Sequence, residues 1–216
     1  MDHLSHRQRG RTGNSSSGTP RARKAYRYRH THVRVRGAAI GQGARLLRCD
    51  DVARDPLTGL PDRRAFDARL ERIFSRRPSS PEQLLAVLFI DVDGFKAVND
   101  RCGHAAGDEV LIELAARLTQ CVRPGDLVSR RGGDEFTVLL DGLHDRGDAL
   151  RVADRILART RTPCDVEGGQ LPVAVSIGIA IRRPGAGRAQ DVIRQADEAM
   201  YRAKSLGKAR SIVYGE

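Results

Sequence analysis

The chain has 216 residues, 40% of them hydrophobic and 4% aromatic with no Trp, so it suits one domain with an appendage and an aliphatic core. Its formal net charge of +11 is typical of a nucleic-acid binder, but residues 1–50 hold 12 Lys and Arg against two Asp and Glu. The remainder holds 26 basic and 25 acidic residues, which excludes a strongly basic folded part and assigns the charge to an N-terminal tail.

Residues 1–50 form this basic tail, which we predict to be disordered. The tail is rich in Arg, Ser, Gly and His and poor in large apolar residues, so it cannot bury enough surface to offset chain entropy. Residues 26–37 alternate basic residues with Tyr, His and Val, as a short strand does. Weak, salt-sensitive binding of the tail to nucleic acid or to an anionic membrane surface stays open, without a specific nucleic-acid partner.

Neither a membrane span nor a secretory signal is predicted. The longest strongly apolar run, Leu84–Ile90, is far too short to cross a bilayer, and the N-terminus lacks the apolar stretch of a signal peptide. The four cysteines form no CxxC pair, which favours free thiols in a reducing compartment. They are Cys49, Cys102, Cys121 and Cys164. We therefore expect the chain to be cytoplasmic.

The first half of the predicted domain, which spans residues 51–216, combines helices with one buried strand. A continuous apolar run that ends in acid indicates the strand, and apolar residues at helical spacing indicate the helices. The predicted elements are, in chain order, a helix opened by Pro61 and Asp62, a strand over Leu84–Asp91, a short helix over Phe95–Asp100 that Gly103 closes, and a helix over Asp108–Val122.

The second half adds four strands and two helices. Gly132-Gly133 between two strand patterns is a hairpin signal, and Gly207 ends the last helix. The predicted elements are, in chain order, strands over Asp126–Arg131 and Glu135–Leu140, a helix over Ala149–Thr160, a long central strand over Leu171–Ile181, a helix over Asp191–Leu206 and a strand over Ser211–Tyr214. The alternation predicts an α/β (α+β) sandwich, a mixed five-stranded sheet flanked by helices.

Two acidic clusters stand at strand ends. Asp91-Val92-Asp93 closes the apolar strand, and Asp134-Glu135 lies at the tip of the hairpin. A buried strand that ends in Asp is costly unless the charge has a partner, and Mg²⁺ prefers one or two carboxylates with water and phosphate oxygens. Such a pair of clusters suits phosphoryl or nucleotidyl transfer. The alternative is that both clusters are turn residues that face solvent.

Five motifs together decide between these interpretations. They are, in chain order, Asp55-Pro56-Leu57-Thr58-Gly59-Leu60-Pro61-Asp62-Arg63-Arg64, Asp91 to Asp100, Gly103-His104-Ala105-Ala106-Gly107-Asp108, Arg130-Arg131-Gly132-Gly133-Asp134-Glu135-Phe136, and Ala196 to Lys204. In this order the chain resembles the GGDEF family of diguanylate cyclases over about three quarters of its length. At Asp62 the family usually has Asn, and Asp also caps helices.

The resemblance implies a fold and an activity. The fold is a palm-like domain related to class III nucleotide cyclases and to the palm of polymerases. Each domain binds one GTP, two domains meet as a homodimer, and each 3′-hydroxyl attacks the α-phosphate of the other nucleotide. The products are cyclic di-GMP and two pyrophosphates.

The resemblance also assigns the metal site. Asp91, Asp134 and the carbonyl of Val92 would bind Mg²⁺ or Mn²⁺, with two ions per GTP. Glu135 would help to activate the 3′-hydroxyl or support the metal.

Substrate-binding roles follow from the same resemblance. Asn99 and Asp108 would read guanine, whose N–H groups a carboxylate or an amide can accept. The phosphates would be held by Lys96 and Lys204 as point charges, by a loop shaped by Gly94 and Phe95, and by the backbone at Gly132 and Gly133.

A further motif, Arg123-Pro124-Gly125-Asp126, precedes the signature hairpin. It is similar to the RxxD inhibitory site of the family, where the product binds and stops catalysis. Arg123 offers a fork for phosphate or guanine, and Asp126 can accept from guanine.

The alternative function is a receptor, a catalytically weak GGDEF module that senses cyclic di-GMP or GTP. Receptors of this kind usually have a damaged signature, whereas Gly132-Gly133-Asp134-Glu135-Phe136 is complete. The family's cyclases normally carry a sensory or receiver domain that drives pairing, and a basic tail of 50 residues is not one.

Overall fold

A computed structural model describes residues 52–76 and 82–216 of the chain. The predicted tail over residues 1–50, with its short strand and Cys49, lies outside the described residues. The helices are α1 (Arg63–Ser75), α2 (Phe95–Gln120), α3 (Arg146–Thr160) and α4 (Ala189–Ser205). The strands are β1 (Leu84–Val92), β2 (Leu127–Gly132), β3 (Glu135–Leu143), β4 (Cys164–Val166), β5 (Gly169–Leu171), β6 (Val175–Arg182) and β7 (Ser211–Val213).

Five of these strands form one mixed sheet in the order β2-β3-β1-β6-β7. The pairs β2–β3, β3–β1 and β1–β6 are antiparallel, and the pair β6–β7 is parallel. Strand β1 is central, because it pairs with β3 on one side and with β6 on the other. The predicted α/β architecture with a mixed five-stranded sheet is confirmed.

Helices cover both faces of the sheet because the side chains of β1 alternate between two cores. Ala86, Leu88 and Ile90 pack with residues of α2 and α3. Leu85, Val87 and Phe89 pack with residues of α1 and α4. A strand buried on both faces reads as an unbroken apolar run, which is how β1 appears in the sequence.

The helix starts follow local capping chemistry. Asp62 caps α1, and its carboxylate accepts a hydrogen bond from the backbone N–H of Ala65. The Asp that stands where the family usually has Asn therefore performs the capping role predicted for it. At α3, Asp145 and Asp148 form a reciprocal capping box.

The sequence predicted two helices with a gap between them, whereas the structure has one element, α2, over this region. Its helical residues run from Phe95 to Gln120, and the backbone leaves the helical region only at Gly103, with φ 82° and ψ 162°. Ala105 and Ala106 are good helix formers, so the second part begins directly after the break.

The prediction of a single strand over Leu171–Ile181 is wrong at its start. Leu171 ends β5, which forms a separate two-stranded hairpin with β4, and β6 begins only at Val175. The turn signal Gly168-Gly169 marks the turn between β4 and the start of β5, and both residues have positive φ. The apolar pattern ran through Pro172 because periodicity alone does not separate adjacent strands.

Two further expectations concern thiols and membranes. Cys102, Cys121 and Cys164 are free cysteines. Among residues 52–76 and 82–216, no helix has the length and apolar character needed to cross a bilayer.

Candidate active site

The centre of the site is the end of β1, where two strand partners bring three carboxylates together. Asp91 lies opposite Glu135 of β3 in the strand register, and on the other side it lies opposite Ser176 of β6. The backbone N–H of Val92 donates to the carbonyl oxygen of Asp134 at 3.3 Å. The hairpin between β2 and β3 therefore presents Asp134 and Glu135 beside the end of the central strand.

Asp91 is buried, and it forms an ion pair with Lys204 from the last turn of α4. The distance from Lys204 Nζ to Asp91 Oδ2 is 2.7 Å. Burial raises the pKa of Asp91 and the nearby Asp134 carboxylate raises it further, while the hydrogen bond and charge of Lys204 oppose the shift. Lys204 therefore stabilises the ionised form of Asp91, and a further positive charge at this place would stabilise it more.

Glu135 is half-buried in the same negative surroundings. Burial raises the pKa of Glu135, and Asp197, Asp91 and Asp134 raise it further, against the opposing charge of Arg131. Asp197 of α4 is a neighbour that the sequence interpretation did not include. Its signal was its place in the Ala196–Lys204 motif, since residues 197 and 204 are seven apart and share one helix face.

Asp93 has a structural role, because both of its carboxylate oxygens accept hydrogen bonds from neighbouring segments. Its Oδ1 accepts from Ser176 Oγ at 2.7 Å, and its Oδ2 accepts from the backbone N–H of Ala209 at 3.0 Å. These bonds connect the end of β1 to β6 and to the segment between α4 and β7. Of the first acidic cluster, Asp91 rather than Asp93 faces the other carboxylates.

The tip of the hairpin is backbone that only glycine adopts readily. Gly132 has φ 147° and Gly133 has φ 53°, and an added Cβ at either residue would meet no atom within 4 Å. The tight turn requires these glycines through their φ values. The open space above them also leaves their backbone accessible.

Arg130 attaches this hairpin to the first motif of the chain. Its Nη1 lies 3.0 Å from both carboxylate oxygens of Asp55, and its Nε donates to the carbonyl of Gly133 at 3.0 Å. Asp55 also accepts from the hydroxyl and the backbone N–H of Thr58. The sequence interpretation named both motifs without predicting that they touch.

This connection predicts an acid-sensitive contribution to stability. Burial opposes ionisation of Asp55, but the hydrogen bonds from Thr58 and Arg130 outweigh it and hold the pKa of Asp55 below its ordinary value of 3.8. A carboxylate with a lowered folded-state pKa stabilises the fold above the unfolded pKa, and the stabilisation is lost as pH falls through the folded pKa.

We expect Asp55→Asn to lower the free energy of unfolding by about 1 kcal/mol at pH 7, because Asn has no charge to pair with Arg130. The difference from the unaltered chain should vanish as pH falls below 3.8. Urea unfolding curves at several pH values measure both effects. Asp165→Asn on the β4–β5 hairpin is the matched control, and a difference that persists at low pH would contradict the assignment.

Both predicted guanine residues, and the phosphate residues Gly94, Phe95 and Lys96, lie along α2 or at its start. Gly94, with φ 72°, is the N-cap of this helix, and Phe95 is partly buried at its first position. Lys96 and Asp108 are exposed, on opposite sides of the break at Gly103. The Oδ1 atom of Asn99 is buried and has no hydrogen-bond partner among the described residues.

Arg123 and Asp126 of the RxxD motif lie between α2 and β2. Arg123 Nε is 3.4 Å from Asp126 Oδ1, and Arg123 Nη2 donates to the carbonyl oxygens of Asp141 and Gly142 at 2.5 and 3.2 Å. About half of the Arg123 side chain remains exposed. The pair lines a surface pocket of about 190 Å³ with Arg151 and Arg155. The Arg123–Asp126 pair lies at the start of β2, whereas Gly132 and Gly133 lie at its end.

The acidic cluster fits a hard divalent cation. In residues 52–76 and 82–216, no group of three or more His, Cys, Asp or Glu side chains is arranged so that it could hold a metal ion by itself. Magnesium is typically bound by one or two protein carboxylates, with the remaining positions filled by water and phosphate. The oxygen donors at Asp91 and Asp134, and the ammonium of Lys204 already held against Asp91, match that chemistry.

The comparison with protein families gives one match over most of the chain. The family described as "Diguanylate cyclase, GGDEF domain" matches residues 52–210. Among curated proteins, the diguanylate cyclase TpbB of Pseudomonas aeruginosa is 47% identical over 151 residues, which are 69% of this chain and 34% of that protein. The chain thus spans about a third of the length of this relative.

Solved structures give the same likeness in three dimensions. A structure of TpbB (PA1120, also YfiN) from Pseudomonas aeruginosa comprising only the GGDEF domain has a TM-score of 0.71 and 43% identity, covering 75% of this chain and 94% of that one. The GGDEF domain of DgcB from Caulobacter crescentus, in complex with c-di-GMP, has a TM-score of 0.69 and 26% identity. That likeness covers 82% of this chain and 100% of the DgcB domain.

Proposed function

The chain belongs to the GGDEF-domain family of diguanylate cyclases, and we propose that it joins two GTP molecules into cyclic di-GMP with release of two pyrophosphates. The observation that carries the proposal is the meeting of Asp91, Asp134 and Glu135 at the end of β1. Neighbouring carboxylates beside accessible backbone suit nucleotidyl transfer, in which metal ions stabilise the attacking and the leaving oxygen.

The proposed metal ligands are Asp91, Asp134 and the carbonyl of Val92. They would hold two Mg²⁺ or Mn²⁺ ions per GTP, and the GGDEF cyclases as a family need divalent ions. When bound, the ions would favour the ionised 3′-hydroxyl and neutralise charge on the phosphates. The raised pKa of Asp91 supports this assignment, since a dication would stabilise the carboxylate that its surroundings disfavour.

The chemical step exchanges one P–O bond for another in each half-reaction. The 3′-oxygen of one GTP attacks the α-phosphorus of the other, the bond to the β-phosphate oxygen breaks, and pyrophosphate leaves. Glu135 would receive the proton of the 3′-hydroxyl, a role supported by its raised pKa. Lys204 would turn from Asp91 to the triphosphate, with Lys96 and the backbone of Gly94, Gly132 and Gly133 completing the phosphate site.

The base of GTP would be read by Asn99 and Asp108. The Oδ1 atom of Asn99 makes no hydrogen bond among the described residues, so turning the amide toward the base would break none. Phe95, partly buried at the start of α2, would border the same site.

The reaction requires two GTP molecules, and each motif occurs once in the chain. We therefore propose that a homodimer forms the catalytic unit, with one GTP in each domain. The test is to incubate the purified chain with GTP and Mg²⁺ and to measure cyclic di-GMP and pyrophosphate over a range of protein concentrations.

Product that increases more steeply than linearly with protein concentration is the expected result, because two chains must meet. Absence of product at every concentration, with GTP still bound, would contradict the cyclase and favour the receptor. The same assay with Mn²⁺ in place of Mg²⁺ determines which ion supports the reaction.

We propose that product binds at Arg123 and Asp126 and inhibits the enzyme. Arg123→Ala should leave the initial rate unchanged and weaken inhibition by cyclic di-GMP by about tenfold or more, because one charge-assisted fork is lost. Initial rates at increasing product concentration measure the effect. Arg146→Ala removes an exposed Arg that pairs with Glu216 and serves as control. Unchanged inhibition in Arg123→Ala would refute this site.

A further inference from the structure

Four carboxylates lie together at the proposed metal site, and one of them is already paired with a cation of the chain. After burial, the charges of Asp197, Asp91 and Asp134 raise the pKa of Glu135, which places the four side chains close to one another. Among the described residues, the only ion pair of this group is that of Asp91 with Lys204. The paired carboxylate is also the buried one of the four.

The ion pair joins two elements of the core. Lys204 Nζ lies 2.7 Å from Asp91 Oδ2, and the Asp91 side chain is only 9% exposed. No other side chain of the described residues donates a hydrogen bond to this carboxylate. Helix α4 is closed directly after Lys204, because the backbone N–H of Lys208 donates to the carbonyl oxygen of Ala203 at 3.0 Å. The end of α4 therefore holds the ammonium against the end of β1.

The Lys204 ammonium and a divalent cation both require the Asp91 carboxylate. Two cations on one carboxylate repel each other, and they do so strongly where water is largely excluded. Pairing with Lys204 therefore limits binding of a dication to the fraction of molecules in which the ammonium has left Asp91. A triphosphate changes this fraction, since its oxygens offer the ammonium another partner.

We infer that Lys204 competes with the divalent cation for Asp91 and releases that carboxylate only when a triphosphate draws its ammonium away. The inference rests on the proposed function for the identity of the metal ligands. It adds an interaction that opposes metal binding, which a lysine that only contacts phosphate would not provide. The chain without nucleotide therefore binds the cation weakly, and cation and nucleotide are taken up together.

Titration of the full chain with Mn²⁺ in the absence of nucleotide measures this competition, with free Mn²⁺ followed by its electron paramagnetic resonance signal. Lys204→Met should lower the Kd for Mn²⁺ by about tenfold or more, as expected if Asp91 is free in about a tenth of the unaltered molecules. An unchanged or raised Kd in Lys204→Met would overturn the inference. Loss of a phosphate contact alone would not tighten binding of the metal.

Lys96→Met is the matched control for the loss of one lysine charge. Lys96 belongs to the proposed phosphate site as well, but it is exposed and forms no ion pair among the described residues. Its removal should change the Kd for Mn²⁺ by less than about twofold, since salt screens an exposed charge. An equal gain of affinity in Lys96→Met would attribute the effect to the overall charge and contradict the competition.

The double variant Lys204→Met with Asp91→Asn tests whether the gained affinity uses Asp91. Without that carboxylate the ammonium has nothing to compete for, so the double variant should bind Mn²⁺ no more tightly than Asp91→Asn alone. A gain that persists without the Asp91 carboxylate would place the ion elsewhere, and the inference would be wrong.

Thermal unfolding gives a second readout. The Tm of Lys204→Met should fall in the presence of EDTA, because a buried charge has lost its partner. Mn²⁺ should then raise the Tm of the variant more than that of the unaltered chain, since a ligand bound more tightly stabilises the fold more. Equal shifts would contradict the competition. Lys204→Gln, which keeps a hydrogen-bond donor, allows the same comparison if Lys204→Met does not fold.

The two proposals can fail separately. If the unaltered chain makes cyclic di-GMP and neither variant of Lys204 binds Mn²⁺ more tightly, the inference alone fails. If the chain makes no product while Lys204→Met gains affinity for Mn²⁺ through Asp91, the competition stands and the proposed function fails.

Discussion

Asp134→Asn is expected to lower cyclic di-GMP synthesis by about 1000-fold or more, which corresponds to a loss of roughly 4 kcal/mol of transition-state stabilisation. The substitution removes the negative charge of a proposed metal ligand and leaves the shape of the side chain unchanged. The hairpin should survive, because Asp134 contributes its backbone carbonyl, not its carboxylate, to the bond with Val92.

Chromatographic measurement of cyclic di-GMP at several protein concentrations tests this expectation, together with a thermal unfolding curve of the variant. The matched control is Asp154→Asn, which removes the charge of an exposed residue on α3. The control should retain full activity. Activity of Asp134→Asn within about tenfold of the unaltered chain would exclude Asp134 as a metal ligand, since neutral amide oxygens bind Mg²⁺ far more weakly.

Gly178→Ala is expected to give the largest loss of stability among single methyl additions, about 3 kcal/mol or more. An added Cβ would lie 1.9 Å from the carbonyl oxygen of Ala196 and 2.2 Å from the backbone nitrogen of Met200. Both atoms belong to the backbone of α4, and no flexible side chain is present to move aside. The middle of α4 would have to move away from β6.

Urea unfolding of Gly178→Ala and of Gly147→Ala provides the measurement and its control. The control adds the same methyl group 3.0 Å from the ends of two side chains, Arg151 and the capping residue Asp145, and should lower the free energy of unfolding much less than Gly178→Ala. Because α4 carries Lys204 and Asp197, activity should fall together with stability in Gly178→Ala. A variant that unfolds at the same urea concentration as the unaltered chain would show that α4 does not pack on β6 this closely.

The two strands that bring Asp91 and Asp134 together were predictable because their signals are local. The apolar run of β1 ends at Asp91, and the two glycines of the signature define a hairpin with Asp134 at its tip. Antiparallel pairing of the central strands then places both acids at one end of the sheet. The alternation of helix and strand patterns along the chain was sufficient to predict the fold class, because each pattern is also a local signal.

The parts that sequence reasoning missed depend on long-range geometry. The ion pair of Lys204 with Asp91 joins residues from α4 and β1, and no periodic pattern reports which lysine reaches a strand end. Asp93 and Asp91 look equivalent in the sequence, because residues two apart in a strand share a face. They differ because β1 ends at Val92, and Asp93 then bonds to Ser176 and to the backbone of Ala209. The ion pair of Arg130 with Asp55 likewise joins β2 to the segment before α1, which are far apart in the sequence.

The central place of β1 has a consequence for the order in which the chain folds. Leu85 pairs with Asp141 of β3 and with Arg182 of β6, which leave the ribosome much later. Such distant pairing gives a high contact order and slow folding, and an unpaired apolar strand is prone to aggregate meanwhile. A chain that ended before Val175 would leave one edge of β1 without its partner, so the proposed catalytic centre can assemble only after β6 has been synthesised.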